Sequence, residues 1–257
     1  MKNIKITILF LAIILSFGLA QAQPTEILSE ITVRAKVLNN QGVEKADAGK
    51  FAEAIELFRE AINLRLDFAF AYGNLGATLY RAGQFEEAVA ALKKAIEIDP
   101  VFAEAYSKLG VAFADLDRND EAVESLKQAV KIRPNYAMAH YNLGCVYIRQ
   151  RKFKEAVAAL ATAAERYPNF AETFVQSGYA LSRLKKYGEA IKQIEQAVRL
   201  NPNDAKVQFF LGQLYLANRD RASALAQYKK IALLDSQAAS RLYSLIFSDL
   251  IVKASDK

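Results

Sequence analysis

Apolar positions in this chain recur in two registers separated by short polar turns. In the stretch AFAYGNLGATLYRAGQFEEAVAALKKAIEIDP, Ala69–Pro100, residues Ala69, Tyr72, Leu75, Gly76 and Leu79 fall at steps of three and four. That spacing puts them on one helix face. After the turn Arg81-Ala82-Gly83-Gln84, residues Ala88, Val89, Leu92, Ala95 and Ile96 form a second stripe. Gly83 suits the left-handed conformation that ends a helix. Asp99-Pro100 stops the second helix, because proline disfavours helical geometry in the residue before it. The pattern predicts two helices joined by a tight turn.

The pattern repeats every 34 residues. Glycine stands at Gly42, Gly76, Gly110, Gly144, Gly178 and Gly212; alanine at Ala54, Ala88, Ala122, Ala156, Ala190 and Ala224; proline at Pro100, Pro134, Pro168 and Pro202. A glycine inside a helix costs about 1 kcal/mol relative to alanine. Its return six times predicts close approach of a second helix, with Ala88 as the small residue that Gly76 meets. A period of this length with two helices per unit is the mark of a helical repeat array.

On Tyr72, Leu75, Gly76, Leu79, Ala88, Leu92, Ala95 and Pro100 the chain resembles the tetratricopeptide repeat (TPR) family. Six units begin at Ala35, Ala69, Ala103, Ala137, Ala171 and Ala205. The expected fold is all-α, a right-handed α-solenoid of six 34-residue helix–turn–helix repeats over 35–236. Residues 23–34 precede it as a cap or an extension of the first helix, and 237–257 follow as a capping helix and tail.

The chain opens MKNIKITILFLAIILSFGLAQAQ, with Lys2 and Lys5 ahead of an apolar run Ile6–Leu19 and the small-residue site Ala20-Gln21-Ala22. This reads as a signal peptide over 1–22, cleaved before Gln23, and predicts a periplasmic or secreted protein. Without those residues the formal charge is +4, too mild to imply a nucleic-acid partner. In the tail, Ala239, Leu242, Ile246 and Leu250 make one stripe and Tyr243, Phe247 and Ile251 another. The first suits capping of the last repeat. The second either buries there too or meets another copy of the chain.

Catalytic chemistry is sparse. His140 is the one histidine and Cys145 the one cysteine. His140 shares its position with Tyr72, Tyr106 and Phe174 and reads as a packing substitute. Cys145 follows Gly144 and reads as a small filler, or else as a site of intermolecular disulfide formation or oxidation. Zinc sites of the usual kinds lack ligands, phosphate-loop motifs are absent, and no metal, cofactor or enzymatic activity is expected.

The resemblance implies that the first helices line a concave face. Their sixth positions are Asn40, Asn74, Lys108, Asn142, Gln176 and Phe210, flanked by Phe70, Tyr80, Met138, Tyr141, Tyr179 and Phe209. Amides carry both donor and acceptor and can hold a peptide backbone. Aromatic side chains anchor recognition. The lysine–arginine–asparagine clamp of the chaperone-binding members is broken here by Val43 and Glu104. Between first and second helices, repeats four to six put Arg149, Arg151, Lys152, Lys154, Arg183, Lys185, Lys186, Arg219 and Arg221 on one edge, where repeat three has Asp115, Asp117 and Asp120. Cations at helix ends stabilise locally; as a ridge they would suit an anionic envelope surface. The reading is a non-catalytic exported scaffold binding a protein or extended peptide in its groove. The alternative is a structural protein that forms homo-oligomers through the tail helix or attaches to the envelope through the basic edge.

Overall fold

The computed structural model describes residues 24–255, with side chains from 25 to 247. The expected signal peptide, its cleavage point, and the stripe residues Leu250 and Ile251 lie outside the described side chains. Among the described residues there are thirteen helices and no strand: α1 Pro24–Asp47, α2 Phe51–Leu64, α3 Ala69–Arg81, α4 Phe85–Ile98, α5 Ala103–Asp115, α6 Asn119–Ile132, α7 Ala137–Arg149, α8 Phe153–Arg166, α9 Ala171–Arg183, α10 Tyr187–Leu200, α11 Ala205–Ala217, α12 Arg221–Ile231 and α13 Ser236–Ser255. The chain divides into two compact parts, one ending at Val101 and one starting at Phe102. None of these helices is long and apolar enough to cross a membrane.

Odd-numbered helices up to α11 are the first helices of the repeats, even-numbered ones the second. α1 has no break at residue 34, so 24–34 lengthen the first helix rather than form a separate cap. The second helices of repeats one to five end where the backbone turns extended, as at Asp99 (φ −126°, ψ 92°) before Pro100. Arg65 does the same (φ −145°, ψ 93°) before Leu66, so the bend persists without proline.

The lattice glycines are contact points, but the partner is not the expected alanine side chain. A Cβ on Gly76 would lie 2.6 Å from Leu92 Cγ and 3.1 Å from the Ala88 carbonyl oxygen. Gly110 meets Leu126, Gly144 meets Leu160 and Gly178 meets Ile194 in the same way, and Gly42 meets the Phe58 ring. All five of these partners are fully buried. Each is worth roughly 1.5–3 kcal/mol of apolar burial. The small residue is needed because a large one from the second helix fills the space above it.

The turns divide by chemistry. Gly49 and Gly83 end their first helices with φ of +75° and +80°. The same place holds Asp117, Arg151, Lys185 and Arg219, with φ between 58° and 64°. Four side-chain-bearing residues thus stand in the left-handed region that favours glycine.

α13 packs on α11 and α12. Asp235 starts it, its carboxylate accepting from the Ala238 amide at 2.9 Å. Ala239, Leu242 and Ile246 are buried. The second stripe is partly covered within the chain. Tyr243 lies 5.4 Å from the Tyr228 ring and 4.5 Å from Phe247, and Arg221 stacks over Phe247 at 5.0 Å.

Candidate functional site

In the N-terminal part the amide positions are tied to each other. Asn74 Nδ2 donates to Asn39 Oδ1 at 3.0 Å, and Asn39 Nδ2 donates to Asn40 Oδ1 at 3.4 Å. Asn39 is 8% exposed. The bond joins α3 to α1, so Asn74 supports packing as well as facing outward. Tyr80 is half-buried, its ring 5.5 Å from Phe85, and packs on the core of this part. Phe70 is 60% exposed.

In the C-terminal part Lys108, Asn142, Gln176 and Phe210 occupy α5, α7, α9 and α11, each half-buried. Burial lowers the pKa of the Lys108 ammonium, and Glu104 one turn earlier opposes that shift. Tyr141 is less an anchor than a packing group. Its ring meets Phe170 edge-on at 5.1 Å. Burial raises its hydroxyl well above the usual tyrosine range, with Cys145 adding to the shift. Burial also raises the Cys145 thiol, against a lowering by Tyr141 and Arg149. Its partly buried place beside Tyr141 fits a small filler. Met138 is 37% exposed on the first turn of α7.

A pocket on this face lies between α9 and α11. It measures 420 Å³ and is lined by Val175, Gln176, Tyr179, Phe210 and Gln213. α9 and α11 pack less closely than α5 with α7 or α7 with α9, which leaves the space open. Gln176, Tyr179 and Phe210 are thus brought together among the expected residues; Asn142 instead borders a 70 Å³ cleft with Cys145 and Arg149 between α5 and α7. Val175 and Gln213 also line the pocket; they hold the fifth and ninth positions of their repeats, which the resemblance implies point into the concave face.

His140 shares the half-buried setting of Tyr72, Tyr106 and Phe174 at the same repeat position. It is half-buried, and its Nε2 lies 2.9 Å from the Pro134 carbonyl oxygen. Gln208, at the same place in repeat six, donates likewise to the Pro202 carbonyl. Both side chains tie a first helix to the bend before it. Among the described residues no three His, Cys, Asp or Glu side chains gather where a metal could bind.

The basic edge is partly neutralised. Arg149 donates to the Ala114 carbonyl and, at 2.9 Å, to Asp115 Oδ1. Gln150 donates to Asp120 at 2.8 Å. The acidic turn of repeat three is therefore spent on repeat four, and the expected contrast along the edge is weaker than the sequence suggests. Lys186 pairs with Glu189 at 2.9 Å. Arg183 donates to the Tyr179 hydroxyl at 2.9 Å and stacks over Phe153 at 5.0 Å. Arg151, Lys152 and Lys185 are exposed on the turns.

The molecule is therefore an all-α helical-repeat solenoid, with a cleft between first helices as its candidate site. Its units are tetratricopeptide repeats. TPR repeat models match residues 78–117 and 112–151, and tetratricopeptide repeat models match 35–68, 137–170 and 175–240. YrrB, described as a TPR protein with an unusual peptide-binding site, is 25% identical with a TM-score of 0.64, over 73% of this chain and 97% of YrrB. MamA from Desulfovibrio magneticus RS-1 is 27% identical with a TM-score of 0.61, over 66% of this chain and 96% of the MamA chain. PilF of Pseudomonas aeruginosa shares the fold at 17% identity, with a TM-score of 0.71 over 87% of this chain and 99% of its own. No curated protein sequence matches. Repeats of this kind are generally non-catalytic interaction scaffolds.

Proposed function

We propose that the protein is an exported, non-catalytic scaffold that holds an extended segment of a protein partner against its first helices. The observation that carries this reading is the pocket between α9 and α11, walled by the fifth, sixth and ninth positions of two successive repeats. Gln176 and Gln213 offer a donor and an acceptor each to a peptide backbone, while Val175 and Phe210 offer an apolar floor. Export rests on the sequence of residues 1–22, and a mature chain starting at Gln23 in mass spectra of the exported protein is the expected result.

Site-specific photo-crosslinking in cells tests the groove. A photoreactive residue at Gln176 or Gln213 should give partner adducts, and one at the exposed Ala161 on the second helix α8 should give none. Equal adducts at all three positions would move the function off this face.

A further inference from the structure

Three repeats carry arginine at their thirteenth position, and two of the three face an aspartate at the same position of the preceding repeat. Arg81 faces Asp47 of the preceding repeat at 3.8 Å, and Arg149 faces Asp115 of its preceding repeat at 2.9 Å. For Arg183 the preceding thirteenth position is Arg149, so the acid that the lattice supplies twice is missing. Arg183 instead rests on the Phe153 ring and donates one nitrogen to Tyr179, a wall of the pocket. Its remaining guanidinium donors suit a carboxylate, in the fork geometry that arginine favours.

Other cations stand at the same end of the cleft. α9 ends at Arg183, followed in its turn by Lys185; α11 ends at Ala217, followed by Arg219. Lys185 and Arg219 are exposed and hold φ of 59° and 64°, where the corresponding turns at Gly49 and Gly83 use glycine. The nearby acids are engaged. Glu189 pairs with Lys186, and Asp220 caps α12 by accepting from the Ser223 amide at 2.9 Å. The pocket itself is lined by no charged side chain.

We infer that the groove selects a segment with an apolar side chain for the α9–α11 pocket and, beside it, carboxylates for Arg183, Lys185 and Arg219. This rests on the groove reading and names the chemistry of its partner. An extended chain advances about 3.3 Å per residue. Four residues of helix, about 6 Å, separate Tyr179 from Arg183 along α9. An acid within two or three residues of the apolar anchor therefore reaches the guanidinium. Attraction on this partly exposed rim is screened by salt over roughly 8 Å at physiological ionic strength.

The test is selection from a randomised library of twelve-residue peptides on the chain from Gln23 to Lys257, read by sequencing, with phosphatidylglycerol vesicles assayed in parallel. The expected pool is enriched at least fivefold in peptides with Asp or Glu within three residues of a large apolar residue. Arg183→Gln combined with Lys185→Gly and Arg219→Gly should abolish the acidic enrichment and keep the apolar one; Phe210→Ala should do the reverse. Circular dichroism confirms that each variant is folded. An apolar pool with no acidic bias from the unaltered chain overturns this inference and leaves the groove reading standing. A pool no different from the input overturns both. Vesicle binding that the triple substitution removes, with no acidic peptide enrichment, assigns the cations to a lipid surface and overturns the inference as well.

Discussion

Leu242 fills the space that Gly212 leaves open: a Cβ on Gly212 would lie 2.5 Å from Leu242 Cδ2. In the five earlier repeats the large residue over the glycine comes from the second helix of the same repeat. Repeat six has Tyr228 at that place, and Tyr228 turns instead toward Tyr243. The tail helix therefore completes the last repeat by supplying its missing core residue. Leu242→Ala should destabilise the protein by about 2–5 kcal/mol, the range for a buried leucine. Urea denaturation of the two proteins is the measurement, and a loss under about 1 kcal/mol would mean that α13 only lies on the array.

A different cost is expected at the amides. Asn74→Ala removes the donor that satisfies Asn39 Oδ1, and Asn39 is buried. An orphaned buried acceptor costs about 1–3 kcal/mol. Asn142→Ala breaks no comparable bond to a buried amide, so it should change stability by about 0.5 kcal/mol or less. Thermal melts that fall equally for both substitutions would refute the distinction.

These cases mark where sequence reading works and where it stops. The glycines, alanines and prolines are legible because each repeats with the period of the contact it serves. Leu92 as the partner of Gly76 was not, because small-to-small packing and small-under-large packing leave the same stripe in sequence. Asn39 holds the fifth position of its repeat, which the resemblance implies points into the concave face, yet its amide is buried against Asn74 and Asn40, a contact that the repeat position alone does not state. The α9–α11 pocket depends on how far apart two helices stand, which no single residue states. The setting of Arg183 is legible in the sequence: aligning Asp47, Arg81, Asp115, Arg149 and Arg183 at one repeat position shows that Arg183 follows an arginine where Arg81 and Arg149 follow an aspartate.

The left-handed turns give a prediction with an unusual sign. A residue bearing Cβ in this region costs roughly 1–2 kcal/mol relative to an allowed conformation. Glycine avoids that cost but gives up roughly 0.5–1 kcal/mol through greater freedom in the unfolded chain. Arg151→Gly and Lys185→Gly should therefore each raise stability by about 0.5 kcal/mol, and Gly83→Arg should lower it by a similar amount. Chemical denaturation of the three variants decides it, and a loss on replacing either cation with glycine would show that its charge at the helix end outweighs the strain.

The last prediction concerns pH and the joint between repeats five and six. The Tyr215 hydroxyl on α11 donates to Glu195 Oε1 on α10 at 2.8 Å. Burial, then the hydrogen bond to Glu195, raises its pKa from the ordinary 10.0 to about 12. The folded protein thus holds this proton more tightly than the unfolded chain does. Its contribution to stability is complete below pH 10.0 and is lost as the pH climbs toward about 12. Tyr215→Phe keeps the ring and removes both the bond and the proton. At neutral pH the variant should be less stable by about 1 kcal/mol, the net size of one such bond. Between the two pKa values the gap should close, because the unaltered protein loses what the variant never had. Lysines and other tyrosines titrate in the same range, but they do so in both proteins, so the difference between the two isolates this pair. A gap that stays constant to the top of that range would mean that the hydroxyl ionises as easily in the fold as outside it, and that Glu195 does not hold it.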